Sequence, residues 1–289
     1  MIVTNSSFAV FILTHGRPNK VITYNSLRKA GYTGKIYLII DDEDQTAHEY
    51  IQTFGEQNVI QFNKKAIAKT FDTADTETDR RTIVYARNAA FEIANDLGLT
   101  HFIQLDDDYN GFRFRSYNAE TDSFGSISIK SLDQVLSKMI KLLDITNAKS
   151  IAMSQGGDWL GGLDSNAARN PLMRKCMNSF IFRTDNPIKF LGRVNEDVNT
   201  YTVLGSRGNL FFTTSSVQLD QTPTQHQAGG MTETYLDNGT YMKSFYTVMM
   251  APSCTTVRMM GQTNLRLHHR IRWDHAVPKI ISDKHRKQR

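Results

Sequence analysis

The chain has 289 residues, 40% hydrophobic and 10% aromatic, enough to bury one large core or two closely packed halves, and a formal net charge of +5. No apolar run approaches the roughly 18 residues that span a bilayer, and Met1-Ile2-Val3-Thr4-Asn5 lacks the basic and apolar regions of a signal peptide. Cys176 and Cys254 lie far apart and outside metal-ligand spacing, which excludes a cysteine-metal class and predicts two buried thiols in a reducing, cytoplasmic compartment.

Phe8-Ala9-Val10-Phe11-Ile12-Leu13 is a continuous apolar run and reads as a strand buried on both faces. It ends in Thr14-His15-Gly16-Arg17-Pro18. Pro18 suits the first turn of a helix, expected to reach about residue 30. Ile36-Tyr37-Leu38-Ile39-Ile40 is a second buried strand, closed by Asp41-Asp42-Glu43-Asp44. A short helix to about residue 54 and a strand over 58–62 follow. This alternation predicts a doubly wound α/β start. Ligands of such sheets bind beyond the carboxyl ends of the strands, where Thr14, His15, Asp41 and Asp42 fall.

Residues 83–97 read as a helix with Ile83, Arg87, Ala90, Ala94 and Leu97 on one face. Arg87 therefore lies in an apolar stripe. It needs an anion there, a carboxylate or a substrate phosphate, unless it snorkels to solvent. Arg80 and Arg81 are further phosphate candidates.

His101-Phe102-Ile103-Gln104-Leu105 is a strand running into Asp106-Asp107-Asp108-Tyr109. Three adjacent carboxylates repel one another, so the cluster is either a solvated turn or the seat of a cation. Mg²⁺ and Mn²⁺ take such oxygen ligands and bridge them to phosphates. In an extended strand Asp106 and Asp108 point one way and Asp107 the other. An EF-hand is excluded, since its twelfth position would be Tyr117 where a bidentate Glu is required. A P-loop enzyme is excluded, since Gly31-Tyr32-Thr33-Gly34-Lys35 has the wrong spacing and enters a strand.

After a turn expected at Asn110-Gly111, Phe112-Arg113-Phe114-Arg115 alternates as a strand. Ser131-Leu132-Asp133-Gln134 has the form of a capping box and opens an amphipathic helix to about residue 146. A strand over 150–153 precedes the loop Gln155-Gly156-Gly157-Asp158-Trp159-Leu160-Gly161-Gly162. Glycine-rich loops of this kind close over substrates, and Trp159 can stack on a sugar or base, or simply plug the loop onto the core. Residues 176–182 read as a strand. In Gly192-Arg193-Val194-Asn195-Glu196-Asp197-Val198, Asn195 reads as an N-cap and the two acids as helix-dipole partners. Strands over 210–213 and 217–219, helices to about 250, and strands over 255–259 and 264–273 complete the chain. In the last, Arg266, His268, Arg270 and Arg272 take one side. From Arg258 onward, nine Lys or Arg face Asp274 and Asp283, a net +7, so the first 257 residues carry −2. A basic end on a near-neutral body points to a polyanion, with nucleic acid first.

Thr14, Asp41/Asp42, Ala86-Arg87-Asn88, Asp106-Asp107-Asp108 and Glu196-Asp197, in this order, resemble the motif set of a GT-A type glycosyltransferase. The match is dense to about residue 115 and sparse beyond. The resemblance implies an α/β fold with a mostly parallel central sheet flanked by helices. It implies one catalytic domain over 1–289: a nucleotide-sugar half (1–125), an acceptor half (126–273) and a basic tail (274–289). Thr14, His15, Arg17, Asp41, Asp42, Arg87, Asp106 and Asp107 would contact a nucleoside-diphosphate sugar, a UDP-sugar first. Asp106 and Asp108 would hold Mn²⁺ or Mg²⁺, completed by His268, His269 or His226. Asp197, or Glu196 second, would be the general base.

Thr14-His15-Gly16-Arg17-Pro18, Gly229-Gly230-Met231 and the basic 273–279 end further resemble the phage glycosyltransferases associated with TET/JBP pyrimidine hydroxylases. That family implies a 5-hydroxymethylpyrimidine in DNA as acceptor, reached by Trp159, Arg266, Arg270 and Arg272, and a host-cell cytoplasm. A polysaccharide, protein or lipid-linked acceptor, or a non-catalytic DNA-binding module, are the alternatives.

Overall fold

The computed structural model describes residues 7–76, 78–118, 120–121, 123–159, 162–169, 176, 178–221, 231–260 and 265–277. The first half runs β1 (Phe8–Leu13), α1 (Ile22–Lys29), β2 (Lys35–Asp41), α2 (Ala47–Phe54), β3 (Val59–Phe62), α3 (Lys64–Ala68), α4 (Val84–Asp96), β4 (His101–Asp106), β5 (Tyr109–Asn118) and β6 (Ser123–Ser128). The second runs α5 (Leu132–Thr146), β7 (Ser150–Gln155), α6 (Asn166–Arg169), β8 (Phe180–Arg183), α7 (Glu196–Ser206), β9 (Phe211–Gln221), α8 (Met231–Met250), β10 (Thr255–Met260), β11 (Arg266–Ile271) and α9 (Trp273–Ala276).

Among the described residues nine strands form one sheet in the order β3-β2-β1-β4-β8-β7-β9-β5-β6. The first four are parallel to one another, as are β7 and β9, and the remaining neighbours are antiparallel. This is the α/β architecture expected, a mixed central sheet between helices. β1 explains why its six residues are all apolar. Ala9, Phe11 and Leu13 enter one core, with Val84, Ala90 and Ala94 of α4. Phe8, Val10 and Ile12 enter the other, with Leu27 of α1, Tyr50 of α2 and Leu136 of α5. Each Val, Leu, Ile or Phe among them contributes about 1.5–3 kcal/mol on burial. Register then sets the site: Leu13 lies opposite both Ile39 and Asp106, so the ends of β1, β2 and β4 share one edge.

Several local expectations are corrected. The segment after Pro18 starts as a short 3₁₀ turn, and α1 begins only at Ile22. The chain reverses at Asp107 and Asp108, and Asn110 and Gly111 already belong to β5. Ser131 makes no side-chain capping bond. Asp133 instead accepts from the Thr33 amide (3.0 Å) and hydroxyl (2.7 Å), tying α5 to the turn before β2. The two strands expected near 210–219 are one, β9. Its register slips between Met153 and Ser154 of β7, where the Ser154 hydroxyl donates to Val217 O at 3.0 Å. β10 and β11 form a separate antiparallel ribbon that packs on α8. Among the described residues neither cysteine forms a disulfide, and both are buried. Among the described residues no helix is long and apolar enough to cross a membrane.

Candidate active site

Arg87 does not snorkel. Its residue is 1% exposed, with the guanidinium 5.5 Å from the Phe180 ring centre and 5.8 Å from that of Phe190. Nη2 donates to Asp106 Oδ1 at 2.9 Å and Nε to Glu196 Oε1 at 2.8 Å. Gln104 of β4 fixes the helix beside it by donating to Arg87 O. The two carboxylates repay the desolvation of the cation and hold it protonated beyond its ordinary range. Nη1 is buried and has no hydrogen-bond partner among the described residues. The Asp106 partner was among those expected. Glu196 was not, being 109 positions away.

The turn at Asp107 and Asp108 gives the three carboxylates different surroundings. Asp106 ends β4, and its carbonyl accepts from the Thr23 hydroxyl at 2.6 Å. Asp107 is buried, accepting from the Thr14 hydroxyl (2.6 Å) and from Arg17 Nη2 (3.1 Å). The Tyr50 hydroxyl joins this group, sharing a hydrogen bond with Thr14 at 2.9 Å and accepting from the Arg17 amide at 2.8 Å. Asp108 accepts from Gln221 Nε2 at 3.2 and 3.4 Å. Burial pushes Asp106 up to about 6, opposed by Arg87 and reinforced by Asp108 and Asp197. Burial likewise raises Asp107, against the pull of Arg17, and raises Asp108, with the Asp107 charge adding to it.

α7 places a second acidic pair against this turn. Asn195 adopts a left-handed conformation (φ 56°) and makes no capping bond, contrary to expectation. Its Nδ2 donates instead to Lys243 O at 2.7 Å and lies 3.4 Å from His269 Nδ1. The chain enters α7 through Gly192 (φ 79°), where a Cβ would meet Asn199 Nδ2 at 2.5 Å. Glu196 turns inward to Arg87. Burial raises its carboxyl, opposed by Arg87 and reinforced by Asp197. Asp197 is 8% exposed and accepts from the Val198 amide through Oδ1 at 2.7 Å.

Carboxylates thus outnumber guanidiniums around Arg87, and Asp106 and Asp108 are the hard-oxygen pair that suits Mg²⁺ or Mn²⁺. Among the described residues no group of three or more His, Cys, Asp or Glu is gathered to hold a metal ion. Two carboxylates whose remaining partners come from substrate phosphates fit that arrangement.

A sequence model for TET-associated glycosyltransferases matches residues 8–230. The chain belongs to this family. It is a glycosyltransferase. A comparison with curated proteins returns no match. Among solved structures, glucosyl-3-phosphoglycerate synthase from Mycobacterium tuberculosis, in complex with Mn²⁺, UDP and phosphoglyceric acid, aligns at 10% identity and a TM-score of 0.46. That alignment covers 93% of this chain and 89% of that one. TarS from S. aureus aligns at 17% identity and a TM-score of 0.44, over 75% of this chain and 37% of that one. These likenesses are remote, and the family assignment rests on the sequence match.

In this TET-associated glycosyltransferase the ends of β1 and β2 form a second polar cluster. His15 Nδ1 bonds Asp41 Oδ2 at 2.7 Å, and Lys64 Nζ donates to the same oxygen at 3.2 Å. Asp42 is exposed and accepts from the Lys64 amide. The hydrogen bond to Asp41 raises His15, against its partial burial. Burial pushes Asp41 up, but the bonds from His15 and Lys64 win and hold it below its ordinary value. Lys64 escaped sequence reading, although its position straight after β3 was a usable signal. Arg193 escaped as well: its side chain is 3% exposed, and it pairs with Asp75 (2.7 Å) and Asp79 (2.8 Å). Arg80, read as a phosphate candidate, pairs with Glu43 here, and Arg81 with Asp79.

Of the histidines named for the metal, His269 is buried beside Asn195, and the tilted ring of His268 lies against it with ring centres 4.3 Å apart. His226, Gly229, Gly230 and the tail 278–289 lie outside the described residues, as do the side chains of Trp159 and Arg266. The Trp159 backbone ends a 3₁₀ turn, Gly156–Trp159. Arg270 and Arg272 are exposed.

Proposed function

We propose that this glycosyltransferase moves a sugar from a UDP-sugar to the hydroxyl of a 5-hydroxymethylpyrimidine in DNA. Residues 1–125 would hold the donor and 126–273 the acceptor. The observation that carries this reading is the buried Arg87, which ties Asp106, at the sheet edge, to Glu196, at the start of α7.

The donor's base and ribose face the β1–β2 edge, where His15, Asp41 and Lys64 offer donors and acceptors. Asp107 is locked by Thr14 and Arg17, so it positions the turn, and Arg17 keeps a cation near the phosphates. Asp106 and Asp108 would hold Mg²⁺ or Mn²⁺ beside the donor diphosphate. When bound, such an ion neutralises the charge that develops on the leaving diphosphate. Arg87 keeps Asp106 in place from behind. Glu196, engaged by Arg87, orients the first turn of α7. The Val198 amide fixes one oxygen of Asp197, and the other takes the proton from the acceptor hydroxyl. For a duplex acceptor the base leaves the stack to reach this pocket.

The DNA acceptor draws support from the family's association with TET enzymes and from the basic C-terminal region. The test is incubation with a panel of UDP-sugars, Mn²⁺ and either hydroxymethylated or plain DNA, followed by nucleoside mass spectrometry. A sugar mass on the hydroxymethylpyrimidine alone is the expected result. Unmodified nucleosides, with sugar transferred instead to a carbohydrate, protein or lipid-linked acceptor, would overturn the DNA assignment.

A further inference from the structure

The β10–β11 ribbon has two chemically distinct faces. Its register pairs Thr256 with Arg270, Arg258 with His268 and Met260 with Arg266. Opposed residues of an antiparallel pair project to the same face, so Thr256, Arg258 and Arg270 share one face, and Arg272 continues it. The opposite face carries Thr255, Val257, Leu267, His269 and Ile271. That face is packed at the end where Thr255 meets Ile271: Thr255 is 3% exposed, His269 8% and Ile271 9%, while Met259, on the same face farther along, is 57% exposed. His269 reaches Asn195 at 3.4 Å, the residue before Glu196. Arg258, Arg270 and Arg272 stand exposed on the other side.

Acidic residues are sparse around the ribbon, Asp274 following just after it. From position 238 to position 273 there is no Asp or Glu, while Lys243, Arg258, Arg266, Arg270 and Arg272 are all basic. Like charges crowded on one narrow ribbon repel one another in the free protein, and a polyanion relieves that repulsion. Guanidinium forks match phosphate oxygens, and a two-stranded ribbon is of a size to lie along a DNA groove. The inner face touches the turn that carries Glu196 and Asp197, so a nucleic acid held on the outer face is anchored close to the transfer site.

We infer that the outer face of the β10–β11 ribbon, with Arg258, Arg270 and Arg272, docks the phosphate backbone of acceptor DNA. The inference rests on the DNA acceptor proposed above. It adds Arg258 of β10, which the alternation of β11 alone does not reveal.

The experiment uses the full chain with Arg258→Ser and Arg270→Ser combined. Binding of a hydroxymethylated duplex is followed by fluorescence anisotropy over a range of salt. A Lys138→Ser/Lys141→Ser variant removes the same charge from exposed positions of α5, and thermal midpoints check each fold. Each phosphate contact contributes about 0.9 to the slope of log affinity against log salt. The ribbon variant should lose nearly two from that slope and bind at least tenfold more weakly, with Arg→Lys at both positions restoring the slope. Arg272→Ser alone should lose about one. A ribbon variant indistinguishable from the α5 control, while the unaltered protein still binds and modifies the duplex, overturns the ribbon and leaves the acceptor assignment standing. An unaltered protein that neither binds nor modifies the duplex overturns both.

Discussion

Arg87 Nε donates to Glu196 Oε1 at 2.8 Å, joining α4 to the first turn of α7 across 109 positions. With its second bond to Asp106, this contact makes one buried unit of the acidic turn and the α7 turn. Removing one partner of a buried pair leaves an uncompensated charge and costs about 3–5 kcal/mol. Arg87→Ala should lose about that much stability in urea unfolding, and Arg87→Lys should recover only part, because one ammonium cannot span both carboxylates. An Arg87→Ala protein within about 1 kcal/mol of the original would mean the pair carries no such weight.

Asp197 is assigned the proton transfer and Glu196 the support. Asp197→Asn should leave donor binding intact while transfer falls by about 10²–10⁴, the usual worth of a positioned base. Calorimetric titration with UDP and Mn²⁺, beside a single-turnover transfer assay, separates the two effects. Transfer at the original rate would leave Asp197 as an ordinary first-turn acid.

Arg193 clasps the approach to α7. Besides Asp75 and Asp79, the Gly192 and Arg193 amides donate to Asp72 O (2.8 Å) and Thr73 O (3.0 Å). The clasp holds Asp72, Thr73, Asp75 and Asp79 beside the turn into Asn195. Its carboxylates are partly exposed, so Arg193→Ala should cost only about 1.5–3 kcal/mol. It should also quicken proteolytic cleavage within residues 72–82. Unchanged cleavage kinetics would show that the segment is held without Arg193.

His15 should titrate above its ordinary 6.5, because the Asp41 bond favours the imidazolium. A raised folded value means that the stabilisation is fully present below pH 6.5 and fades as pH rises through the folded value. With His15 about half exposed, the contribution is small. The NMR midpoint reads it directly. Asp41→Asn should bring that midpoint down, and an unmoved midpoint would remove Asp41 as the cause.

Some of this was legible in sequence for physical reasons. The unbroken apolar runs of β1 and β2 report burial on both faces, and Arg87 in an apolar stripe announces an ion pair. The expectation that Asp107 faces away from Asp106 and Asp108 also agrees with its partners, though by a turn rather than by strand alternation. Partner identity was not legible. Glu196 and Arg193 find their partners through the sheet's return path, which no local pattern encodes. Ser131 and Asn195 have cap-like sequences, but distant groups, Thr33 for the neighbouring Asp133 and Lys243 for Asn195, compete successfully for the side chains. β6 is mostly polar and exposed, so it carried no signal of burial.

The central claim is that Asp106 and Asp108, with Arg87 behind them, seat a divalent ion and the donor diphosphate. Isothermal titration of UDP into the original protein and into Asp108→Asn, with Mn²⁺ and then with EDTA, tests it most directly. Binding that needs Mn²⁺ and disappears in Asp108→Asn is the predicted result. Equal affinity in EDTA, or an Asp108→Asn protein that binds as the original does, would contradict it.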